Sequence, residues 1–302
     1  MKVLVTGGAG FMGSHIVDML IEKDYEVVII DDLSMGKFVN KKAIFYKDDI
    51  TKNIDKIFEK EKPNIVIHTA AQVILRESIN NPVKDAITNI IGTINVLESC
   101  RKNNVKKIIY TSTGGARVGE PEYLPVDEKH QINPTSPYGI SKHTAEHYIW
   151  MYNKLYGLDY LIFCFGNVYG PRDDPESKRI VSMFTHKLLK GEIPTIFGDG
   201  KQTRDFIYVM DLVELIVQSI NKKPKHKLFH LAYGKQVSVN EIFNILKKIS
   251  GFKGEPEHMK AIKGEVRDIC LDTSLAQKEL GWKPKHNIEE GLMNTYKITR
   301  GK

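Results

Sequence analysis

The chain has 302 residues, 41% of them hydrophobic and 27% charged, and a formal net charge of +7. That length and apolar content support one large domain or a large and a small one, and no low-complexity tract or internal repeat points to disorder. Lys and Arg are spread along the chain, with small clusters at Lys41-Lys42 and Lys222–Lys227, and no nucleic-acid-binding motif accompanies them; a solvated basic surface is expected, and a nucleic-acid partner is not.

Strands and helices alternate through the first half. Val3–Thr6 reads as a short buried strand, Phe11–Lys23 as a helix and Glu26–Asp31 as a second strand. Ala43–Tyr46 is a third strand, followed by a helix near Lys52–Lys60 and a fourth strand over Asn64–His68. Pro82 opens a long helix to about Asn103, Lys107–Tyr110 is a fifth strand, a helix carries Tyr138 to about Tyr156, and Tyr160–Cys164 is a sixth strand. This rhythm predicts an α/β fold with a doubly wound parallel (Rossmann) sheet. After Asn167, loops rich in Gly, Pro and charge separate shorter elements. A helix near Asp211–Ile220 and a strand near Leu228–Leu231 are expected to return to the sheet, and the remainder to form a smaller mixed α/β lobe. A ligand is expected between the two parts, at the carboxyl ends of the strands.

Cys100, Cys164 and Cys270 are odd in number and far apart, with neither a disulfide framework nor metal-ligand spacing, so no metal is expected and the natural compartment is a reducing one. The first residues run straight into a strand without a signal-peptide apolar region, and no segment reaches membrane-spanning length. A soluble cytoplasmic protein is the expectation.

Gly7, Gly10 and Gly13 span the turn from the first strand into the start of the first helix. Glycines there permit a tight turn, and the helix start behind them suits a dinucleotide's phosphates. Asp31 ends the next strand about 20 residues on, where a carboxylate binds adenosine ribose hydroxyls and repels a 2′-phosphate, so NAD is predicted over NADP. Asp32 is the alternative. Further along, Tyr138 and Lys142 are four residues apart and share one helix face. An ammonium beside a phenol lowers its pKa toward working pH, and a tunable acid/base beside a nicotinamide implies alcohol–ketone redox chemistry.

Thr6-Gly-Gly-Ala-Gly-Phe-Met-Gly13 followed by Tyr138-Gly-Ile-Ser-Lys142 resembles the extended short-chain dehydrogenases/reductases. Gly166-Asn-Val-Tyr-Gly-Pro-Arg172, Phe197-Gly-Asp-Gly-Lys-Gln-Thr-Arg204, Gly264-Glu-Val-Arg267-Asp268 and Leu280-Gly-Trp-Lys-Pro284 extend the resemblance over nearly the whole chain, to the NAD-dependent nucleotide-sugar epimerases of the UDP-glucose 4-epimerase type. The resemblance implies that NAD lies against Gly7, Gly10, Phe11, Met12, Gly13, Asp31 or Asp32, Asp49-Ile50, Ala70-Ala71 and Asn89. It makes Tyr138 the acid/base, Lys142 its partner and ribose ligand, and Ser112 or Thr113, with Thr113 favoured, the proton-passing hydroxyl. Asn167, Arg204, Arg267 and Asp268 would hold the nucleotide diphosphate sugar. The chain would then divide into an NAD-binding part, residues 1–166 with about 206–231, and a nucleotide-sugar lobe, about 167–205 and 232–302. The implied activity is inversion at the sugar C4 through a 4-keto intermediate, most simply UDP-glucose/UDP-galactose interconversion, in a homodimer built on the helices near 82–103 and 138–156.

Several departures from the relatives carry expectations of their own. Arg117 and Val118 stand where Val and Tyr are usual, and Cys164 stands where a strand Arg is frequent, which removes a supporting ion pair. His230-Leu-Ala-Tyr-Gly234 replaces an Asn-x-Gly turn on the uracil side. Ile269 occupies a position that is small in relatives accepting N-acetylated sugars, which favours a plain hexose. A glucuronate substrate would need a cation, for which Arg117 or Arg76 is available. Gly114-Gly115 replaces the Asp-Glu of 4,6-dehydratases, and a non-catalytic NAD sensor would usually lack the Tyr or the Lys that this chain keeps.

Overall fold

A computed structural model describes residues 1–261 and 266–301. The first half runs β1 (Lys2–Thr6), α1 (Phe11–Glu22), β2 (Glu26–Asp31), β3 (Ile44–Lys47), α2 (Asp55–Glu61), β4 (Ile65–His68), α3 (Leu75–Asn80), α4 (Pro82–Ala86), α5 (Gly92–Lys102), β5 (Lys107–Thr113), α6 (Gly115–Val118), α7 (Pro137–Tyr156) and β6 (Asp159–Phe165). The second half runs β7 (Asn167–Tyr169), α8 (Ile180–Leu189), β8 (Thr195–Phe197), β9 (Thr203–Arg204), β10 (Phe206–Tyr208), α9 (Val209–Gln218), β11 (Leu228–Leu231), β12 (Val237–Ser238), α10 (Val239–Ser250), β13 (Glu257–Met259), α11 (Ser274–Leu280) and α12 (Ile288–Arg300).

Seven strands form one parallel sheet in the order β3-β2-β1-β4-β5-β6-β11, so the winding direction reverses between β1 and β4. The central strands are apolar on both faces because each face is covered. Ile16, Val17 and Leu20 of α1, Leu212 and Ile216 of α9, and Ala276 and Leu280 of α11 pack on one face. Phe58 of α2, Val96 and Leu97 of α5, and Ala145 and Ile149 of α7 pack on the other. A separate core built from Phe184, Phe206, Ile242, Leu246 and Leu292 holds the smaller lobe. The return of β11 to the sheet agrees with the expectation, whereas α11, read from sequence as part of the lobe, packs on the sheet core.

The expected helix from Pro82 is not uniform. Its first turns, α4, pass through a π turn at Ile87–Ile91 before α5 begins. The extra residue re-aims the side chains: Asn89 turns inward, while Ile87 and Ile91 remain 45% and 47% exposed. At the β4 end, His68 is fully buried. Thr93 donates its hydroxyl to the Asn89 carbonyl at 2.6 Å, so it accepts from His68 Nε2 at 3.0 Å, and Thr6 donates to Nδ1 at 2.6 Å. His68 is thus a neutral, fully bonded packing residue, held with its pKa down at about 3 by burial and by Lys142.

Candidate active site

A cavity of about 850 Å³ opens along the carboxyl ends of the sheet, over the β1/β4 reversal and against the smaller lobe. Gly7, Gly10, Phe11, Met12 and Gly13 line its floor. The turn is too tight for side chains: a Cβ on Gly13 would sit 2.0 Å from the Gly7 carbonyl oxygen, and one on Gly7, at φ +69°, would sit 2.7 Å from the Ala70 nitrogen. Helix α1 begins at Gly10 without a side-chain cap, so its first N–H groups face the cavity without a capping oxygen. An uncapped helix start under a glycine turn fits a pyrophosphate.

Asp31, Asp32, Asp49, Ile50, Ala70 and Ala71 line the same end. Asp31 is 6% exposed, and its carboxylate accepts from Ala9 N–H at 2.9 Å and Leu33 N–H at 2.8 Å. Burial pushes its pKa up against those bonds. Asp32 is turned to the Ser34 N–H and hydroxyl. Asn89 lies behind the wall: its amide joins the Gln72 backbone, Asp85 and the Ser141 hydroxyl, which pins the 72 loop to α7.

Ser112, Thr113, Tyr138 and Lys142 meet at the centre of the cavity. Ser136 caps α7 by accepting from Gly139 N–H at 3.2 Å, with Pro137 in the first turn, so Tyr138 projects from a firmly started helix. Tyr138 and Thr113 line the same stretch of wall, and the Thr113 hydroxyl is among the groups that favour the phenolate. Ser112 is committed elsewhere, donating to Glu146 Oε1 at 2.5 Å. Lys142 is 3% exposed, with Nζ 4.1 Å from the centre of the Tyr110 ring.

Electrostatics depart from the expectation here. Burial pushes the Tyr138 phenol up to about 12, opposed by the Arg179 guanidinium and the Thr113 hydroxyl. The same burial pulls Lys142 down to about 7, against the pull of Glu146. Desolvation therefore dominates both groups, and the cation that opposes it at the phenol is Arg179 rather than Lys142.

Toward the lobe, Asn167, Arg204 and Ile269 are on the wall. Arg204 is 8% exposed, its Nη1 held by the carbonyls of Thr203 and Arg267 at 2.8 and 3.1 Å. Arg267 itself is exposed at the surface and pairs with Asp199 at 3.2 Å. Asp268 accepts from the Thr203 hydroxyl at 2.5 Å. The expected arginine pair is therefore one wall residue and one surface residue, while Gly264 and Glu265 of that motif lie outside the described residues. Arg76 is on the wall, over the Phe197 ring at 4.9 Å, whereas Arg117 turns away to Glu146. Arg179, which the sequence did not single out, is also on the wall, paired with Asp173. A basic pair ahead of an apolar helix is too common a pattern to have marked it.

Residues 3–234 match the model of the NAD-dependent epimerase/dehydratase family. The chain belongs to this family. It is 36% identical over 311 residues to a UDP-glucose 4-epimerase of Mycolicibacterium smegmatis, covering 100% of this chain and 99% of that protein. The fold superposes with a TM-score of 0.97 on the crystal structure of UDP-glucose 4-epimerase with UDP-glucose from Thermotoga maritima, at 42% identity and over 100% and 99% of the two chains. A Thermus thermophilus UDP-glucose 4-epimerase in complex with NAD gives 0.93 at 35% identity, over 100% and 99%. The doubly wound fold predicted from the strand–helix alternation and the NAD dependence predicted from the glycine turn with Asp31 hold for the family. Among the described residues, no helix is long and apolar enough to cross a membrane.

Proposed function

We propose that this protein interconverts UDP-glucose and UDP-galactose by inverting the sugar C4 hydroxyl. The observation that carries the reading is that Tyr138, Thr113 and Lys142 line one cavity with the glycine turn and Arg204. Tyr138 takes the proton of the 4-hydroxyl through Thr113 and returns it after the ring has turned. Lys142 holds a positive charge beneath the phenol and bonds the nicotinamide ribose. Bound NAD would supply the hydride acceptor and donor for C4, and its nicotinamide charge would favour the phenolate. Gly7, Gly10, Phe11, Met12 and Gly13 cradle the cofactor phosphates, Asp31 its ribose, and Asp49-Ile50 its adenine. Arg204 and Asn167 hold the nucleotide diphosphate while the hexose swings, with Arg267 and Asp268 bracing that end. A guanidinium suits this task because its planar fork matches phosphate oxygens.

Two further readings belong with this one. Residues 1–166 with about 206–231 form the NAD-binding part and about 167–205 with 232–302 the sugar-nucleotide lobe, α11 returning to the sheet. The protein is a cytoplasmic homodimer: Val83, Ile87, Ile91 and Ile140 are 66%, 45%, 47% and 51% exposed on α4, the π turn and α7, an apolar face suited to a two-fold bundle. Sedimentation at micromolar concentration tests it, and a monomer would count against it.

The first experiment is incubation of the purified protein with UDP-galactose, without added NAD, followed by proton NMR. Appearance of UDP-glucose supports both epimerisation and retained cofactor. No conversion, even after NAD is added, would defeat the plain-hexose reading and turn attention to N-acetylated and glucuronate sugars.

A further inference from the structure

Arg117 is 4% exposed on α6, and its Nη2 lies 3.1 Å from Oε2 of Glu146, which is 5% exposed. Glu146 stands on α7 one turn beyond Lys142 and gathers donors from three elements. Oε1 accepts from Ser112 on β5 at 2.5 Å and from the Cys164 thiol on β6 at 3.7 Å, and Oε2 accepts from His143 Nδ1 at 2.9 Å. The same carboxylate is the strongest influence opposing the loss of charge at Lys142. Position 164 thus reaches Glu146 from the strand side, and Arg117 reaches it from the helix side. Without a guanidinium, Glu146 would be a buried carboxylate held by a hydroxyl, a thiol and an imidazole. Such a group neutralises or shifts rather than remain an unpaired buried charge.

We propose that Arg117 is a positioning residue for the Tyr138–Lys142 pair: it keeps Glu146 ionised and fixed behind Lys142 and Ser112, and it does from α6 what an arginine at position 164 would do from β6. The inference rests on the functional reading of Tyr138 and Lys142 above. Cys164 Sγ lies 3.7 Å from the same carboxylate, so a guanidinium carried at that position of β6 is placed to reach Glu146 as well.

The test is an exchange of position, using the NAD-loaded protein with Arg117→Val, Cys164→Arg and the double variant. Turnover of UDP-galactose, retention of NAD through gel filtration, and melting temperature are measured for each. Arg117→Val is expected to lower kcat about tenfold or more with KM changed by less than about twofold, and to release NAD more readily. Cys164→Arg alone is expected to lose activity, because two guanidiniums crowd one carboxylate. The double variant is expected to recover kcat to within about threefold of wild type and to retain NAD, which a merely structural pair would not require. Wild-type kcat in Arg117→Val overturns the proposal. So does a double variant that regains melting temperature without kcat, or one less stable than either single variant. If Arg117→Val alone does not fold, the double variant decides by the same two outcomes. Wild-type turnover is measured first, since its absence counts against the functional reading, while NAD retention across the variants reads the ion pair without any sugar substrate.

Discussion

Ser112 gives its hydroxyl to Glu146 across 2.5 Å, while Thr113, one residue along β5, lines the cavity with Tyr138 and its hydroxyl favours the phenolate. The two side chains look equivalent in sequence. Glu146 stands about two turns along α7 from Tyr138, so the hydroxyl drawn to it is held away from the phenol.

Substitution at the two positions should therefore separate. Thr113→Val is expected to lower kcat by about 10²- to 10³-fold while NAD remains bound, as loss of a positioned proton-transfer group does. Ser112→Ala is expected to cost about 1–3 kcal/mol of stability, the range for a buried bond to a charged group, and to leave kcat within about threefold. Tyr138→Phe should abolish turnover with NAD still bound. Steady-state assays beside thermal melts check all three, and equal kcat losses at 112 and 113 would refute the division.

Arg204 and Arg267 should differ in the same manner. Arg204 is on the cavity wall with its guanidinium anchored by two carbonyls, whereas Arg267 has a side chain 60% exposed and a surface partner. Exposed ion pairs contribute little. Arg204→Lys is expected to raise KM for UDP-galactose by about tenfold through loss of the planar fork, and Arg267→Ala to change it by less than about threefold. Initial-rate measurements over a range of substrate concentrations discriminate; a larger effect at 267 would place the diphosphate at the surface.

Ile269 bears on sugar choice. It is 5% exposed on the cavity wall, and a Cβ on Gly115 would lie 3.3 Å from its Cγ1, so little space remains on that side. Ile269→Ser should admit an N-acetyl group and improve kcat/KM for UDP-N-acetylglucosamine by about tenfold, the effect of a few methylenes in a pocket. Competition assays with both sugar nucleotides would show it, and an unchanged preference would assign specificity to other walls.

His68 predicts an acid limb of stability. Its folded pKa, down at about 3, lies below the ordinary value of 6.5. Between these values the unfolded chain binds the proton and the folded one does not, so stability falls as pH drops below 6.5 and the loss is complete near 3. At pH 5 this one group should cost about 2 kcal/mol. His68→Gln is expected to flatten denaturant-unfolding stability between pH 6.5 and 4 even if it lowers stability at pH 7, and an unaltered slope would assign the acid limb elsewhere. His230, held at about 4 by burial and by Arg117, contributes with the same sign and remains in the variant.

The order of β1 to β6, the glycine turn, Asp31 and the Tyr138–Lys142 spacing were legible because they are local: strand and helix periods, glycine sterics and a four-residue helical interval are properties of neighbours in the chain. The α3 segment at Leu75–Asn80 and the π turn were not, since short helices with weak patterns take their form from what packs on them. Charge pairing across elements was equally hidden. Read along the chain, Cys164 removed an arginine and Arg117 was a stray cation, and only folding brings both to Glu146.

The sequence by itself thus determined the class of fold, the cofactor turn and the chemistry-bearing residue types. The tertiary structure alone decided which hydroxyl is committed to Glu146, which arginine lines the cavity, and that burial dominates the phenol's pKa. The physical reason is that desolvation and long-range pairing depend on what surrounds a group in space, and no interval along the chain encodes that.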